Sequence, residues 1–120
     1  MKNAVNLDET LERFSEHWSP KIVGELNGQL VKLVKFKGEF VWHHHDVEDE
    51  MFLVVRGYFD MHLRDGVVRI REGEFYIVPR GVEHKPVAEE EAHVLLFEPA
   101  TTLNTGNIRN ERTRETLERL

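Results

Sequence analysis

The sequence predicts an antiparallel all-β sandwich or barrel, and two observations carry that expectation. From Lys21 onward, short apolar or alternating runs follow one another: KIVGEL, QLVKLVKF, EFVWHHH, MFLVV, YFDMHLR, VVRIR, EFYIV and AHVLLFE. Turn residues punctuate them at Asn27-Gly28, Lys37-Gly38, Gly57, Asp65-Gly66, Glu72-Gly73 and Pro79-Arg80-Gly81. Many short strands at close spacing with glycine at the corners are the pattern of a closed or two-layered β fold, and no internal repeat or low-complexity linker interrupts them.

Taken in order, residues 1–20 form an N-terminal helical segment. Leu7, Leu11 and Phe14 recur at spacings of three and four, which predicts an amphipathic helix over Asn6–His17. It ends near Ser19-Pro20, because the residue before proline is pushed away from helical angles. The barrel spans 21–100. Asn27-Gly28 and Asp65-Gly66 are expected as two-residue hairpin turns whose central positions take positive φ. Trp42, Phe75 and Tyr76 are expected as packing residues. In the tail, 101–120, the stretch Asn110–Leu120 is expected either as a last helix with Leu117 and Leu120 on one side or as a frayed surface segment.

At 120 residues the chain suits one domain with one core. Its net charge of −6, with no basic stripe, argues against nucleic acid as a partner. The apolar runs are only a few residues long, so no membrane partner is expected. The start MKNAVNLDETLERF lacks the apolar core of a signal peptide, and a cytoplasmic protein is the expectation. The absence of cysteine excludes disulfides, thiol catalysis and thiolate ligands, leaving His, Asp and Glu as candidate ligands.

Those candidates concentrate in VWHHHDVEDEMFLVVRG, Val41–Gly57. On an extended strand His43 and His45 point one way and His44 the other. Two residues along a strand separate their Cα atoms by roughly 6.6–7 Å, close enough for both imidazoles to lean onto one ion. His-x-His alone is weak evidence. Glu50 strengthens it, because it shares a face with Phe52 and Val54; if that face looks inward, a buried carboxylate needs a positive partner. Asp46, Glu48 and Asp49 lack such a phase argument and read as loop solubility. Downstream, GEFYIVPRGVEHKPVA places His84 just after a sharp Pro79–Gly81 turn.

With those residues in view, the chain resembles a small single-domain cupin, a family of jelly-roll β-barrels sometimes labelled mannose-6-phosphate isomerase-like. The family's first motif, G-x(5)-H-x-H-x(3,4)-E-x(6)-G, is matched by His43, His45, Glu50 and Gly57. Gly38 precedes His43 by four residues instead of five. The second, G-x(5)-P-x-G-x(2)-H-x(3)-N, is matched by Gly73, Pro79, Gly81 and His84, with Ala88 where the family has asparagine. The resemblance implies a jelly-roll barrel with short helical segments at both ends. It also implies a divalent transition metal (manganese, iron, nickel, cobalt or zinc) held by His43, His45, Glu50 and His84, and a homodimer whose interface involves residues before about Gly28.

His44, His62, His17 and His93 have no metal partner by spacing or phase and are expected as bystanders. Arg56, Arg80 and Lys85 could meet an anionic substrate or simply be surface cations. Four protein ligands leave one or two positions open on a six-coordinate ion, where a small molecule with neighbouring oxygens could bind to a Lewis acid. The expectation is a metal-dependent isomerase, lyase or dioxygenase acting on a small oxygenated metabolite. The alternative is a non-catalytic sensor or carrier of a small molecule. No catalytic base is assigned, since Glu83 and Tyr76 cannot be placed from sequence, and no organic cofactor is expected.

Overall fold

Seven antiparallel strands and one short helix make up residues 3–120, the part of the chain that a computed structural model describes. In chain order they are α1 (Leu7–Leu11), β1 (Lys21–Leu26), β2 (Gln29–Glu39), β3 (Glu50–Arg56), β4 (Tyr58–Leu63), β5 (Gly66–Arg71), β6 (Phe75–Val78) and β7 (His84–Pro99). The sheet order is β1-β2-β7-β3-β6, with β4 pairing both β5 and β7. The antiparallel barrel predicted from the strand pattern is the observed fold.

Strand β7 organises it. Its first residues pair with β4 through Leu63↔His84, and its later ones with β2 and β3 through Leu33↔Leu95 and Leu53↔Leu95. The register against β2 slips between Phe36↔Ala92 and Gly38↔Ala88. That slip leaves Glu89, Glu90 and Glu91 bulging into solvent, so one strand bends and serves both halves of the barrel. On either side of the bend, Ala88, Ala92, Val94 and Leu96 are buried. They meet Phe36, Phe52, Phe59 and Met61 in the central core. Strand β2 is buried on both faces: Val34 and Phe36 look into the barrel, while Leu33 packs under the N-terminal segment with Leu11, Phe14 and Val23. Burial on two faces explains why QLVKLVKF reads as a nearly continuous apolar run.

The N-terminal helix is shorter than the predicted Asn6–His17. Asn6 caps it, its Oδ1 accepting from the Glu9 backbone N–H at 2.9 Å, and it stops at Leu11. A five-residue helix has no stability of its own; the burial of Leu11 and Phe14 holds it. Lys35 Nζ donates to the Phe14 carbonyl at 2.6 Å, and Trp18 adopts a left-handed φ of 58°. Together these turn the chain into the barrel instead of letting the helix run on.

Residues 101–120 form turns and bends, neither helical nor frayed. Thr105 Oγ1 donates to the Ile108 carbonyl, and the Asn104 and Asn110 amide oxygens accept backbone N–H groups of Arg114 and Arg112. Such side-chain-to-backbone bonds compete with helix formation. This strap is tied to β1 through Ile22 N–H to Glu118 O and Leu120 N–H to Ile22 O, both at 2.9 Å.

Two smaller expectations also change. Asn27 and Gly28 have the positive φ expected of their hairpin, but the β4–β5 turn consists of Arg64 and Asp65, neither with positive φ, and Gly66 opens β5. Tyr76 packs on the core, whereas its neighbour Phe75 is 61% exposed, because alternation along the edge strand β6 turns it outward. Among the described residues, no helix is long and apolar enough to cross a membrane.

Candidate metal centre

Both histidine-bearing segments are pinned by backbone bonds. After β2 the chain leaves the sheet, and His43 and His84 form an isolated antiparallel bridge, His43 N–H to His84 O at 3.1 Å and His84 N–H to His43 O at 2.9 Å. The Gly81 N–H donates to His45 O at 2.7 Å. The Pro79–Gly81 turn therefore clamps the histidine tract, and Asp49 completes the clamp by accepting from the Arg80 backbone N–H at 2.8 Å. The acidic loop does more than confer solubility: Asp49 also pairs with the Arg80 guanidinium, and Glu48 accepts from Thr101 at 2.7 Å.

Within this frame His43, His45, Glu50 and His84 come together, all buried, and each offers one ligand atom within 4.8 Å of the others. His43 Nδ1 lies 2.8 Å from Val41 O, and His84 Nδ1 lies 2.9 Å from Val82 O. A carbonyl only accepts, so both Nδ1 atoms carry the proton and both Nε2 atoms present a lone pair. Nε2 of His45 and of His84 stand 2.9 and 3.2 Å from Glu50 Oε1. None of these three atoms makes an aligned hydrogen bond. Buried polar atoms are seldom left unbonded, and three orphans side by side are the arrangement expected of atoms aimed at a common point. Three imidazoles and a carboxylate form a donor set that fits a divalent transition ion.

The electrostatics agree. Burial, then the neighbouring His84, pushes His43 down to about 3, which keeps the imidazole neutral. Burial on its own would raise Glu50, but polar contacts with Glu98, His45 and His84 outweigh it and hold the carboxyl well below the usual range.

Other candidates lie elsewhere. His44 points away, its Nε2 2.9 Å from Asp46 Oδ1. His93 and His17 both contact the Glu91 carboxylate, and His62 is half-buried on β4. Arg56, Arg80 and Lys85 are engaged by Asp8, Asp49 and Glu39. Glu83 pairs with Arg64 at the surface. Trp42 lies under the Arg64 guanidinium, 3.8 Å from its ring centre.

Two residues absent from the sequence expectations belong to this region. Lys32 and Glu98 are each 1% exposed and joined by a 2.5 Å contact from Nζ to Oε2. Glu98 lines the same cavity as His43 and Glu50. Burial, then the adjacent Glu50 charge, raises its carboxyl well above the ordinary range, and the Lys32 ammonium opposes this without reversing it. Strand phase was the available signal: Glu98 follows Val94 and Leu96 on the inward face, and Lys32 precedes Val34 and Phe36 on theirs.

The comparisons with known proteins agree with this geometry. A family model described as "Cupin domain" matches residues 30–98. A cupin-2 domain protein of Shewanella frigidimarina is similar in structure, with 43% identity and a TM-score of 0.78, covering 79% of this chain and 93% of that one. Protein NMB1881 of Neisseria meningitidis is 33% identical with a TM-score of 0.75, covering 82% of this chain and 100% of its own. The uncharacterized protein YdbB of Bacillus subtilis is 31% identical over 64 residues, which is 52% of this chain and 57% of that protein. The match over residues 30–98 spans every residue of the cluster: this chain belongs to the cupin family.

Proposed function

We propose that His43, His45, Glu50 and His84 hold a divalent transition metal, and that the protein is a metal-dependent enzyme acting on a small oxygenated molecule. The observation that carries this reading is the trio of buried, unbonded atoms, His45 Nε2, His84 Nε2 and Glu50 Oε1, gathered with His43 in one cluster. When bound, such an ion supplies Lewis acidity, which polarises a carbonyl or stabilises an enolate.

The chain's own residues supply the rest. The Val41 and Val82 carbonyls fix the tautomer and aim of His43 and His84. Phe40 packs edge-on against His43 at 5.4 Å between ring centres, and Phe52 against His84 at 6.1 Å, excluding water from one side of the cluster. Glu98 lines the same cavity beside Glu50 without belonging to the cluster, which places a carboxyl there to give or take a proton.

Elemental analysis of the purified protein, followed by chelation and reloading with manganese, iron, cobalt, nickel or zinc, tests the reading. Alanine at His43, His45, Glu50 or His84 is expected to reduce bound metal from about one per chain by roughly tenfold or more, since each removes a ligand. Alanine at His44, His62 or His93 is expected to leave it intact. Full metal content in all four ligand variants would sink the proposal. So would loss of metal in His44→Ala with retention in His45→Ala. A loaded protein that binds small hydroxyketones or diketones without converting them, in air or without it, would instead be a binding module.

A further inference from the structure

A half-open cavity lies beside the cluster. Trp18 from the N-terminal segment, Phe40 and Pro86 from the barrel and Asn104 from the C-terminal strap stand around it, and its free volume is about 30 Å³. That is room for roughly two water molecules, so a larger molecule must extend through the open side of the cavity. Most of the wall is apolar, and its polar side chains can be accounted for one by one. Trp18 Nε1 donates to Lys37 O at 2.8 Å. Asn104 spends its amide on the strap, donating to Arg112 O at 2.8 Å and accepting from Arg114 N–H at 2.9 Å. His43 and Glu50 belong to the cluster. Glu98 is left: Oε2 is tied to Lys32, while Oε1, fully buried beside Glu50, makes no aligned hydrogen bond. An unpaired buried carboxyl oxygen is costly, and here it borders the cavity next to the cluster.

We propose that Glu98 is a substrate-contacting residue, and that the site takes a small uncharged molecule whose hydroxyl bonds Glu98 Oε1 while a neighbouring oxygen lies at the His43–His45–Glu50–His84 cluster. The proposal rests on the metal-centre reading above. The Lys32 pair holds the Glu98 carboxyl against the wall, so the contact is preorganised. Charge selects against anions: among the described residues no arginine or lysine lines the cavity, while two glutamates do. Beyond the oxygen that meets the cluster, a phosphate or second carboxylate would find no arginine or lysine to pair with in a mostly apolar wall, and an unpaired buried anion is a basis for rejection. The chemistry recognised is that of a neutral hydroxyketone or enediol, with no phosphorylated or carboxylated group.

The test uses manganese-loaded full-length protein, with dihydroxyacetone and dihydroxyacetone phosphate as probes, and binding read from water-proton relaxation and calorimetry. The parent is expected to bind the neutral probe at least about tenfold tighter than the phosphate. Lys32→Met/Glu98→Leu replaces the buried pair with apolar residues of similar size, a change that proteins commonly tolerate. It is expected to keep manganese affinity within about threefold but weaken dihydroxyacetone at least about tenfold, since the buried hydroxyl loses its hydrogen-bond partner. Glu98→Gln, which still offers a polar atom, is expected to recover part of that loss. The assignment falls if the double variant binds dihydroxyacetone as well as the parent does. It also falls if the loaded parent binds no dihydroxyacetone or prefers the phosphate. If the double variant loses manganese as well, Glu98 serves the metal and not the substrate. A parent that binds no metal overturns the metal-centre reading itself, and this assignment with it.

Discussion

Burial and the adjacent His84 hold the His43 imidazole neutral down to about pH 3, against an ordinary 6.5, and that difference must appear in the stability of the metal-free protein. As pH falls from 6.5 toward 3, the unfolded chain takes up a proton at His43 that the folded chain refuses, so stability is lost. One proton of difference is worth about 1.4 kcal/mol per pH unit. Glu50, depressed below its ordinary 4.5, acts with the same sign: its contribution is present above 4.5 and lost as pH falls below it. Glu98 has the opposite sign. Its raised carboxyl keeps a proton that the unfolded chain releases above 4.5, so its contribution is present at low pH and lost as pH rises. Above 4.5 the His43 and Glu98 contributions therefore oppose each other, and below 4.5 only losses remain. Urea titrations in chelator from pH 3 to 8 are expected to show a shallow decline down to 4.5 and a steep one below. Glu98→Gln removes the opposing group, and its decline is expected to begin near 6.5. A parent and variant with the same profile would show that Glu98 holds no such proton.

Among the elements, the C-terminal strap carries the sharpest test. Asn107 grips the histidine tract at both backbone groups of His44, donating to its carbonyl at 3.1 Å and accepting from its N–H at 2.9 Å. Gly106 makes this approach possible. Its φ is +56°, and a Cβ there would lie 2.1 Å from His44 O and 3.1 Å from His43 Cδ2. Gly106→Ala must displace either the strap or the tract and is expected to cost roughly 2–4 kcal/mol. It is also expected to weaken metal binding, because His43 moves with its neighbour. Gly28→Ala is the control: φ is +77° but nothing lies within 4 Å of the added carbon, so about 1 kcal/mol of backbone strain and unchanged metal affinity are expected. Equal effects from the two substitutions would mean that the strap does not support the tract. The strands were legible because alternation and corner glycines are local signals, and the four cluster residues because they sit at the fixed spacings of two motifs. The strap was not legible. Its order comes from Asn and Thr side chains bonding to backbone, and composition alone cannot tell that from a tail in solvent. Lys32 and Glu98 were overlooked because a charged residue in a strand suggests its outer face, although phase with Val34 and Leu96 pointed inward.

At the scale of the whole molecule, the cluster couples parts of the chain that no single hairpin joins. His43 and His45 come from the segment after β2, Glu50 opens β3, and His84 opens β7, the strand that pairs with β2, β3 and β4. Without an ion, four buried polar side chains share one region and three of them, His45, Glu50 and His84, leave a ligand atom unsatisfied, which costs free energy in the folded state alone. An ion that binds the folded chain relieves that cost and stabilises the entire barrel by mass action, about 2.7 kcal/mol when free metal is a hundred times its dissociation constant. For a domain of this size that corresponds to a rise in Tm on the order of 10 °C. Because β7 links both halves, the rise is expected as a shift of one cooperative transition, with near-UV signals from the Trp18 side and far-UV signals from the sheet moving together. Lys32→Met/Glu98→Leu is expected to show the same metal-induced rise, since its cluster is complete. Glu50→Gln is expected to show much less, having traded an anionic ligand for a neutral one. A barrel whose Tm is indifferent to every transition ion while the four ligand residues are intact would refute a structural coupling between the centre and the fold. Two transitions, only one of them shifted by metal, would place that coupling in one half of the barrel.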